Sequence, residues 1–292
     1  MQGSSNWLRV WRAAITSASV GLVLVGCGKR APAPLTEVVA MKTAKLPATP
    51  ADPAWKEVPA YDAALVVQDL VEPWLMASST PTVRVQALTD GERVAFRLSW
   101  VDSTLDDLPG AGRFTDACAV QLPQVTGANV PAPQMGESGM PVEITYWSAA
   151  WQARANGRGD SIQVYYPNAS IDHYPFEARS LAIGSPEQLE MAKRYAPARA
   201  ANRNEHPLDR PVQDLLAEGP GTLTPMRETR SNGSGTWKAS RWSVVITKPL
   251  PEVLRGQARS QVAFAVWNGK RQEVGARKMR SVWIPLALGG AR

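Results

Sequence analysis

The stretch from Thr82 to Asp102, TVRVQALTDGERVAFRLSWVD, alternates apolar and polar residues on both sides of an Asp90–Gly91 pair. Such alternation is typical of a half-buried strand, and Asp-Gly between two alternating runs predicts a tight hairpin. A chain with this pattern must bury one face of a sheet, which favours β-rich folds. The second strand is expected to present one apolar face, formed by Val94, Phe96, Leu98 and Trp100.

Several later segments repeat this character. They are VEITYWSA (142–149), RWSVVITKPL (241–250), SQVAFAVWNGK (260–270) and RSVWIPLAL (280–288). Short strands separated by turn signals predict a mostly β protein, an antiparallel β-sandwich. With 292 residues, 44% of them hydrophobic, the chain can bury a core without disulfides.

The interval from about 152 to 235 differs from the rest because its apolar residues are too few to bury a core. In GSPEQLEMAKRY, Ser185 is a suitable N-cap and Pro186 a suitable first helical residue, which predicts a short helix. RPVQDLLAEG predicts a second helix that ends at Gly219. We therefore expect an insertion of loops and short helices lying over the sandwich.

The N-terminus has the pattern of an export signal. Arg9 and Arg12 precede an apolar run that ends in LVGC, and this ending is similar to a bacterial lipobox with Cys27 as the lipidated residue. We expect a signal peptide over 1–26, a Pro/Ala-rich tether over 27–58 and one domain over 59–292. The mature protein would then be a periplasmic lipoprotein anchored to the membrane; an uncleaved signal anchor is the alternative.

Composition argues against several kinds of site. The formal charge is +6, but the basic residues are scattered and form no stripe with aromatic residues, so nucleic-acid binding is not expected. Two histidines and two cysteines do not support the usual zinc sites. The sequence has no Cys-x-x-Cys-His, which excludes covalently attached haem c. Lipidation of Cys27 would leave Cys118 without a partner for a disulfide within the chain.

Two other features allow more than one interpretation. Asp102, Asp106 and Asp107 could hold a hard cation, but a solvated loop is favoured because further oxygen ligands are not arranged around them. The eleven tryptophans could form a platform for sugars or for a flat cofactor, although filling of the core is favoured from composition alone. Those near strand ends are Trp100, Trp147, Trp242, Trp267 and Trp283.

A series of segments in order resembles a known family. The segments are VQALTDGERVAFRLSWVDST, FTDACAVQLP, PAPQMGESGMPVEITYW, YAPARAANRN, EGPGTLT, RWSVVITKPL, VAFAVWNG and RKMRSVW. From about residue 80 to the C-terminus, the chain is similar to the haem b subunit of ethylbenzene dehydrogenase and to the third subunits of selenate reductase, chlorate reductase and dimethyl sulfide dehydrogenase. These are partners of molybdenum enzymes of the dimethyl sulfoxide reductase family.

The resemblance implies a β-sandwich that holds one haem b with methionine and lysine as axial ligands. The family's methionine precedes a glycine in a proline-bounded loop, which matches Met135 and Gly136 of QMGESGMPV; Met140 is the alternative. The family's lysine lies in a turn before the last strand, which matches Lys278 of GARKMRSVW.

Other lysines remain possible at this stage. The chain departs from the expected pattern because Ala276 and Arg277, rather than a glycine, precede Lys278, so Lys270 and Lys238 stay open as alternatives. Whichever lysine serves, it must be the neutral amine to bind a metal, which burial in an apolar pocket promotes. Methionine ligation in turn favours the reduced iron.

Two protein ligands would leave the iron no open position, so the resemblance implies one-electron transfer rather than catalysis by this chain. The expected partners are a molybdopterin catalytic subunit, an iron–sulfur subunit and a soluble cytochrome or membrane carrier. The competing interpretation is a carbohydrate- or surface-binding β-sandwich lipoprotein without haem.

Overall fold

The computed structural model describes residues 35–125, 129–159, 162–168, 182, 184–187 and 210–290. In these residues the fold is mostly β. The strands are β1 (Val38–Lys42), β2 (Tyr61–Ala64), β3 (Val66–Val67), β4 (Thr82–Thr89), β5 (Arg93–Val101), β6 (Ala117–Pro123), β7 (Val142–Ser148), β8 (Val212–Ala217), β9 (Thr224–Pro225), β10 (Asn232–Trp237), β11 (Arg241–Pro249), β12 (Arg259–Trp267), β13 (Met279–Arg280) and β14 (Ile284–Gly290).

The helices of the described residues are short. They are α1 (Ala149–Ala155), α2 (Ile162–Tyr165) and the 3-10 turns Pro53–Glu57, Glu252–Leu254 and Gly269–Arg271. Within the described ranges, no helix has the length and apolar character needed to cross a bilayer.

The strands form two sheets that share β12. The first sheet has the order β10-β11-β5-β4-β1-β14, and β14 pairs with the first half of β12. The second half of β12 pairs with β6, which continues the second sheet as β6-β7-β8-β9. β13 lies on the other side of β12 and pairs with β3. The predicted β-sandwich is confirmed, with one departure: β1 is parallel to both β4 and β14.

The hairpin expected at Asp90–Gly91 is confirmed. Asp90 accepts hydrogen bonds through Oδ1 from the backbone N–H groups of Glu92 and Arg93, at 3.0 and 2.7 Å. Gly91 has a φ of +97°, a conformation that glycine adopts at little cost. All four residues of the predicted apolar face of β5 are buried, and Phe96 packs edge-on against Phe264 of β12 with ring centroids 5.9 Å apart.

The predicted tether over 27–58 is wrong from Val38 onward. Residues Val38–Lys42 form β1, which lies between β4 and β14 in the first sheet. Trp55 is also buried, and its Nε1 donates to the carbonyl of Thr49. Five residues of strand offer too little alternation to be recognised in a Pro/Ala-rich context. The predicted signal peptide over 1–26 and Cys27 lie outside the described residues.

The insertion predicted over 152–235 is shorter than expected. The segment 210–219 was predicted to be helical, but Val212–Ala217 is β8 and pairs with β7 over six residues. Pairing with a neighbouring strand overrides the helix propensity of QDLLA. β10 likewise belongs to the first sheet, where it pairs with β11. Most of the helix predicted from Ser185 onward lies outside the described residues.

Candidate functional site

A cavity of about 670 Å³ lies on the outer face of the second sheet. Side chains of β6 alternate in direction: Cys118 and Val120 face the sandwich core, whereas Ala119 and Gln121 face the cavity. Both faces of β6 are buried because the loop after β3 and the loops before β7, β9 and β13 cover the cavity side. The volume falls within the roughly 300–1,000 Å³ of typical ligand and cofactor pockets.

Two of the covering loops bring Met135 and Lys278 together inside this cavity. Lys278 Nζ lies 3.6 Å from Met135 Sδ, and it lies 5.3 Å from the ring centroid of Trp267. A thioether and a primary amine therefore converge on one point of a pocket that is otherwise largely apolar. Both groups have lone pairs that can bind a transition metal once the amine is neutral.

The backbone around Met135 is held in a conformation that requires the following glycine. Met135 and Gly136 have φ values of +73° and +79°. A Cβ atom at Gly136 would lie 2.8 Å from the carbonyl oxygen of Met140 and 3.0 Å from that of Ala217, closer than side chains allow. The glycine after the methionine thus permits a tight turn that directs the thioether into the cavity.

Hydrogen bonds from other elements anchor this methionine loop. The N–H of Gly219, after β8, donates to the carbonyl of Met135 at 2.8 Å. Gln121 Nε2 donates to the carbonyl of Pro133 at 3.1 Å, and Trp283 Nε1 donates to that of Pro131 at 2.6 Å. Since the loop is bonded to the sheet below it and to the chain before β14, the position of Met135 is set by the tertiary structure.

Burial changes the acid–base chemistry of Lys278. Desolvation, with a smaller contribution from the positive charge of Arg280, lowers the pKa of Lys278 to about 8. Because pH 7 is about one unit below this pKa, removing the proton from Lys278 at pH 7 costs about 1.4 kcal/mol. For an exposed lysine the same deprotonation would cost about three times as much free energy. The cavity therefore prepares Lys278 to act as a neutral ligand.

Gln68 organises the turn that carries Lys278. Its backbone N–H donates to the carbonyl of Lys278 at 3.0 Å, and its Nε2 donates to the carbonyl of Ala276 at 3.0 Å. Its Oε1 accepts from the N–H groups of Leu70 and Val71 at 2.7 and 2.9 Å. Sequence reasoning missed Gln68, because a single glutamine beside a short strand gives no local signal for this role.

The alternative ligands do not reach the cavity. Met140 forms a β-bridge with Glu137 at the far side of the methionine turn and is not among the residues that line the pocket. Lys270 is exposed in the 3-10 turn after β12, and Lys238 is exposed between β10 and β11. Of the candidate residues, the structure brings together only Met135 and Lys278.

The tryptophans divide between the core and the cavity. Trp100, Trp147 and Trp242 are buried in the sandwich core, where Trp242 packs 6.3 Å from Trp100 and 5.0 Å from Trp147 between ring centroids. The interpretation that the tryptophans fill the core is therefore correct for these three. Trp267 lines the cavity instead, and Trp283 packs beside it.

An aromatic wall completes the cavity. The ring of Tyr146 on β7 packs edge-on against Trp151 of α1 and against Trp267 of β12, each at 5.3 Å between centroids. All three rings line the pocket. Trp151 and Tyr146 were not singled out as site residues from the sequence; an aromatic lining of this kind suits a ligand with a large apolar surface.

Asp102, one of the three aspartates considered for a cation site, has a structural role. Asp102 is buried rather than solvated, contrary to the interpretation favoured from sequence, and accepts from Asn268 Nδ2 at 3.2 Å. Beside it, Asp116 accepts from Trp242 Nε1 and the N–H of Gly269, both at 2.9 Å, and burial raises the pKa of Asp116 to about 7. No metal-binding group of three or more His, Cys, Asp or Glu residues occurs in the part of the chain that the structure describes.

Comparison with known families gives one match that spans most of the chain. The family model described as ethylbenzene dehydrogenase matches residues 52–279. That range includes the whole of β6, β7 and β12, which face the cavity, and both Met135 and Lys278.

Two relatives extend the comparison. A Haloferax mediterranei protein described as a respiratory nitrate reductase heme subunit is 27% identical over 250 residues, which cover 83% of this chain and 69% of that protein. The chlorate reductase gamma subunit of Ideonella dechloratans is 22% identical over 234 residues, which cover 77% and 73% of the two chains.

Solved structures are similar only at a low level. A family 9 carbohydrate-binding module of Caldicellulosiruptor kristjanssonii, in complex with cellotriose, aligns over 87% of this chain and 93% of its own with a TM-score of 0.43 and 7% identity. A carbohydrate-binding protein of Bacteroides uniformis aligns over 86% and 97% with a TM-score of 0.39 and 7% identity. At these scores the likeness supports no inference about function.

Proposed function

The chain belongs to the ethylbenzene dehydrogenase family, and from this membership we propose that it is the haem b subunit of an extracytoplasmic molybdenum oxidoreductase complex, with electron transfer as its task. The observation that carries the proposal is the convergence of Met135 Sδ and Lys278 Nζ, 3.6 Å apart, inside a cavity of about 670 Å³. The names of the two relatives, a nitrate reductase heme subunit and a chlorate reductase gamma subunit, support it.

The residues present fit a non-covalently bound haem. The cavity has the volume of a cofactor pocket and an aromatic wall of Tyr146, Trp151 and Trp267. The thioether of Met135 and the amine of Lys278 are the donors it offers to an iron, and the half-buried Arg280 offers positive charge. The sequence lacks Cys-x-x-Cys-His, which argues against covalently attached haem, and the b type is the form that the family resemblance implies.

Each residue has a defined task in this proposal. Met135 would supply a soft neutral ligand that raises the reduction potential, and Lys278 would supply a neutral amine whose proton is removed at low cost because burial lowers its pKa. The aromatic wall excludes water. A bound haem supplies the capacity to gain and lose one electron. Because Met135 and Lys278 would both be used to hold the iron, the chain itself would make or break no bonds of a substrate.

The proposal extends to partners and location. Electrons would pass through this chain between two sets of partners. One set is a molybdopterin catalytic subunit with an iron–sulfur subunit, and the other is a soluble cytochrome or a membrane carrier. Lipidation at Cys27 of the LVGC sequence would anchor the chain to the membrane on the periplasmic side. The lipobox-like ending of the N-terminal apolar run is the feature that supports this location.

Spectroscopy of the purified full-length protein tests the proposal. We expect a Soret band, α and β bands that appear on reduction, a pyridine haemochrome of the b type and a one-electron potentiometric titration. A colourless protein that takes up no added haem would overturn the proposal. A glycan-binding assay on the same sample tests the competing carbohydrate-binding function.

A further inference from the structure

A second cation shares the cavity with Lys278. In β13, Met279 is buried in the sandwich core, whereas Arg280 lies among the residues that line the cavity. The strand pairing fixes this direction, because Arg280 is opposite Ala265 of β12 and Val66 of β3. Residues two apart in an extended chain point the same way, so Lys278 and Arg280 face the same space.

The guanidinium of Arg280 has no partner among the described residues. Its Nε is fully buried without a hydrogen bond, and none of the hydrogen bonds or ion pairs found in the described part of the chain involves its side chain. A guanidinium has five N–H donors in a planar fork, and burying one of them without an acceptor costs free energy. The donors of Arg280 are therefore available to a group that the cavity receives.

The cavity lining has no negative charge to satisfy this cation. Among the described residues that line it, Lys278 and Arg280 are the charged ones, and no aspartate or glutamate is present. The exposed Asp69 influences Arg280 electrostatically but forms no ion pair with it within 4 Å. Electrostatic complementarity thus favours an anionic group on the ligand, and a carboxylate can pair with the arginine fork through two parallel hydrogen bonds.

We propose that Arg280 binds a carboxylate of the ligand in this cavity, which for haem is a propionate. This inference rests on the proposed function, since haem is a planar ligand that carries carboxylates at its edge. It adds an orientation to that function: the propionate edge points toward β13, beside the Lys278 turn. Arg280 is then a binding residue that selects for a porphyrin whose carboxylates are free rather than esterified.

The test compares haem with its dimethyl ester, in which both carboxylates are blocked. Full-length apo-protein is titrated with each compound in the same detergent, and binding is followed by the Soret band. We expect the unaltered protein to bind haem about tenfold to hundredfold more tightly than the ester, the range for a hydrogen bond to a charged group. Arg280→Gln should reduce this ratio to about one.

Arg277→Gln is the matched control. Arg277 stacks over Phe114 at 5.9 Å, does not line the cavity and should leave the ratio unchanged. Arg280→Lys, which keeps the charge but not the fork, should give an intermediate ratio and serves if the glutamine variant does not fold. If the unaltered protein bound haem and the ester with equal affinity, or if the affinity ratio persisted in Arg280→Gln, only the role of Arg280 would be overturned. Binding of neither porphyrin would overturn the proposed function as well.

Discussion

Lys278 Nζ lies 3.6 Å from Met135 Sδ, although 143 residues separate them in the chain. Neither loop alone determines this distance. The carbonyl of Met135 accepts a hydrogen bond from Gly219 after β8, and the carbonyl of Lys278 accepts one from Gln68 after β3. The second sheet, through the pairing of β12, β6, β7 and β8, sets the separation of these anchors. The close approach of the two side chains therefore depends on strand register.

Replacing Met135 should change the electronic properties of the bound haem. Met135→Leu keeps the volume of the side chain but removes the sulfur, so we expect the reduction potential to fall by roughly 0.1 V, because thioether ligation favours the reduced iron. A potentiometric titration followed in the α band measures this. Met140→Leu is the control and should keep the original potential; the same potential in both variants would contradict the ligand assignment.

The stability of the apo-protein should rise with pH above about 8. The folded state loses the Lys278 proton near pH 8, whereas an unfolded lysine keeps it until about 10.5, so the unfolded state binds more protons between these values. The free energy of unfolding should increase by about 2 kcal/mol between pH 7.5 and 9.5 from this residue. Urea unfolding at both pH values measures the gain.

Lys278→Leu should lack that gain and should be more stable than the unaltered apo-protein at pH 7.5. Lys270→Leu, at an exposed position, should retain the full pH dependence. If the Lys278 variant kept the same slope with pH, the lowered pKa would be excluded as its cause.

Two glycines of the methionine loop provide a paired test of its packing. Gly136 and Gly139 both have positive φ values, +79° and +75°, but only at Gly136 does a Cβ atom meet backbone, at 2.8 and 3.0 Å. Gly139→Ala should cost about 1 kcal/mol from the φ angle alone. Gly136→Ala should cost about 2 kcal/mol more, as expected for an overpacked site, and should weaken haem retention. Equal midpoints in urea unfolding would count against the described turn.

Gln68 and Gln86 allow stability to be separated from positioning. Gln86 Nε2 donates to the carbonyls of Trp55 and Val58 at 2.8 and 2.7 Å, far along the chain from either candidate ligand. Either glutamine replaced by leucine should lower the free energy of unfolding by about 1–3 kcal/mol, since buried backbone groups lose their partners. Only Gln68→Leu should also alter the haem spectrum and affinity. A changed spectrum in Gln86→Leu would mean that general destabilisation explains both.

Local patterns predicted the elements whose partners are close in sequence. The β4–β5 hairpin was recognisable because Asp90–Gly91 and the flanking alternation contain all the information that a tight turn needs. β8 was predicted as a helix because QDLLA has no strong strand preference, and pairing with β7 decides its conformation. β1 was assigned to a tether because its parallel partners, β4 and β14, lie about 45 and 250 residues away.

The sequence by itself determined the β-sandwich and, through the resemblance to the family, the candidates Met135 and Lys278. Only the tertiary structure decided that these two, rather than Met140, Lys270 or Lys238, share one cavity, and only it revealed Gln68 and Arg280. The physical reason is that strand periodicity is a property of neighbouring residues, whereas a pocket on the outer face of a sheet is built by loops from four parts of the chain. Their meeting depends on the register of strands that no single segment encodes.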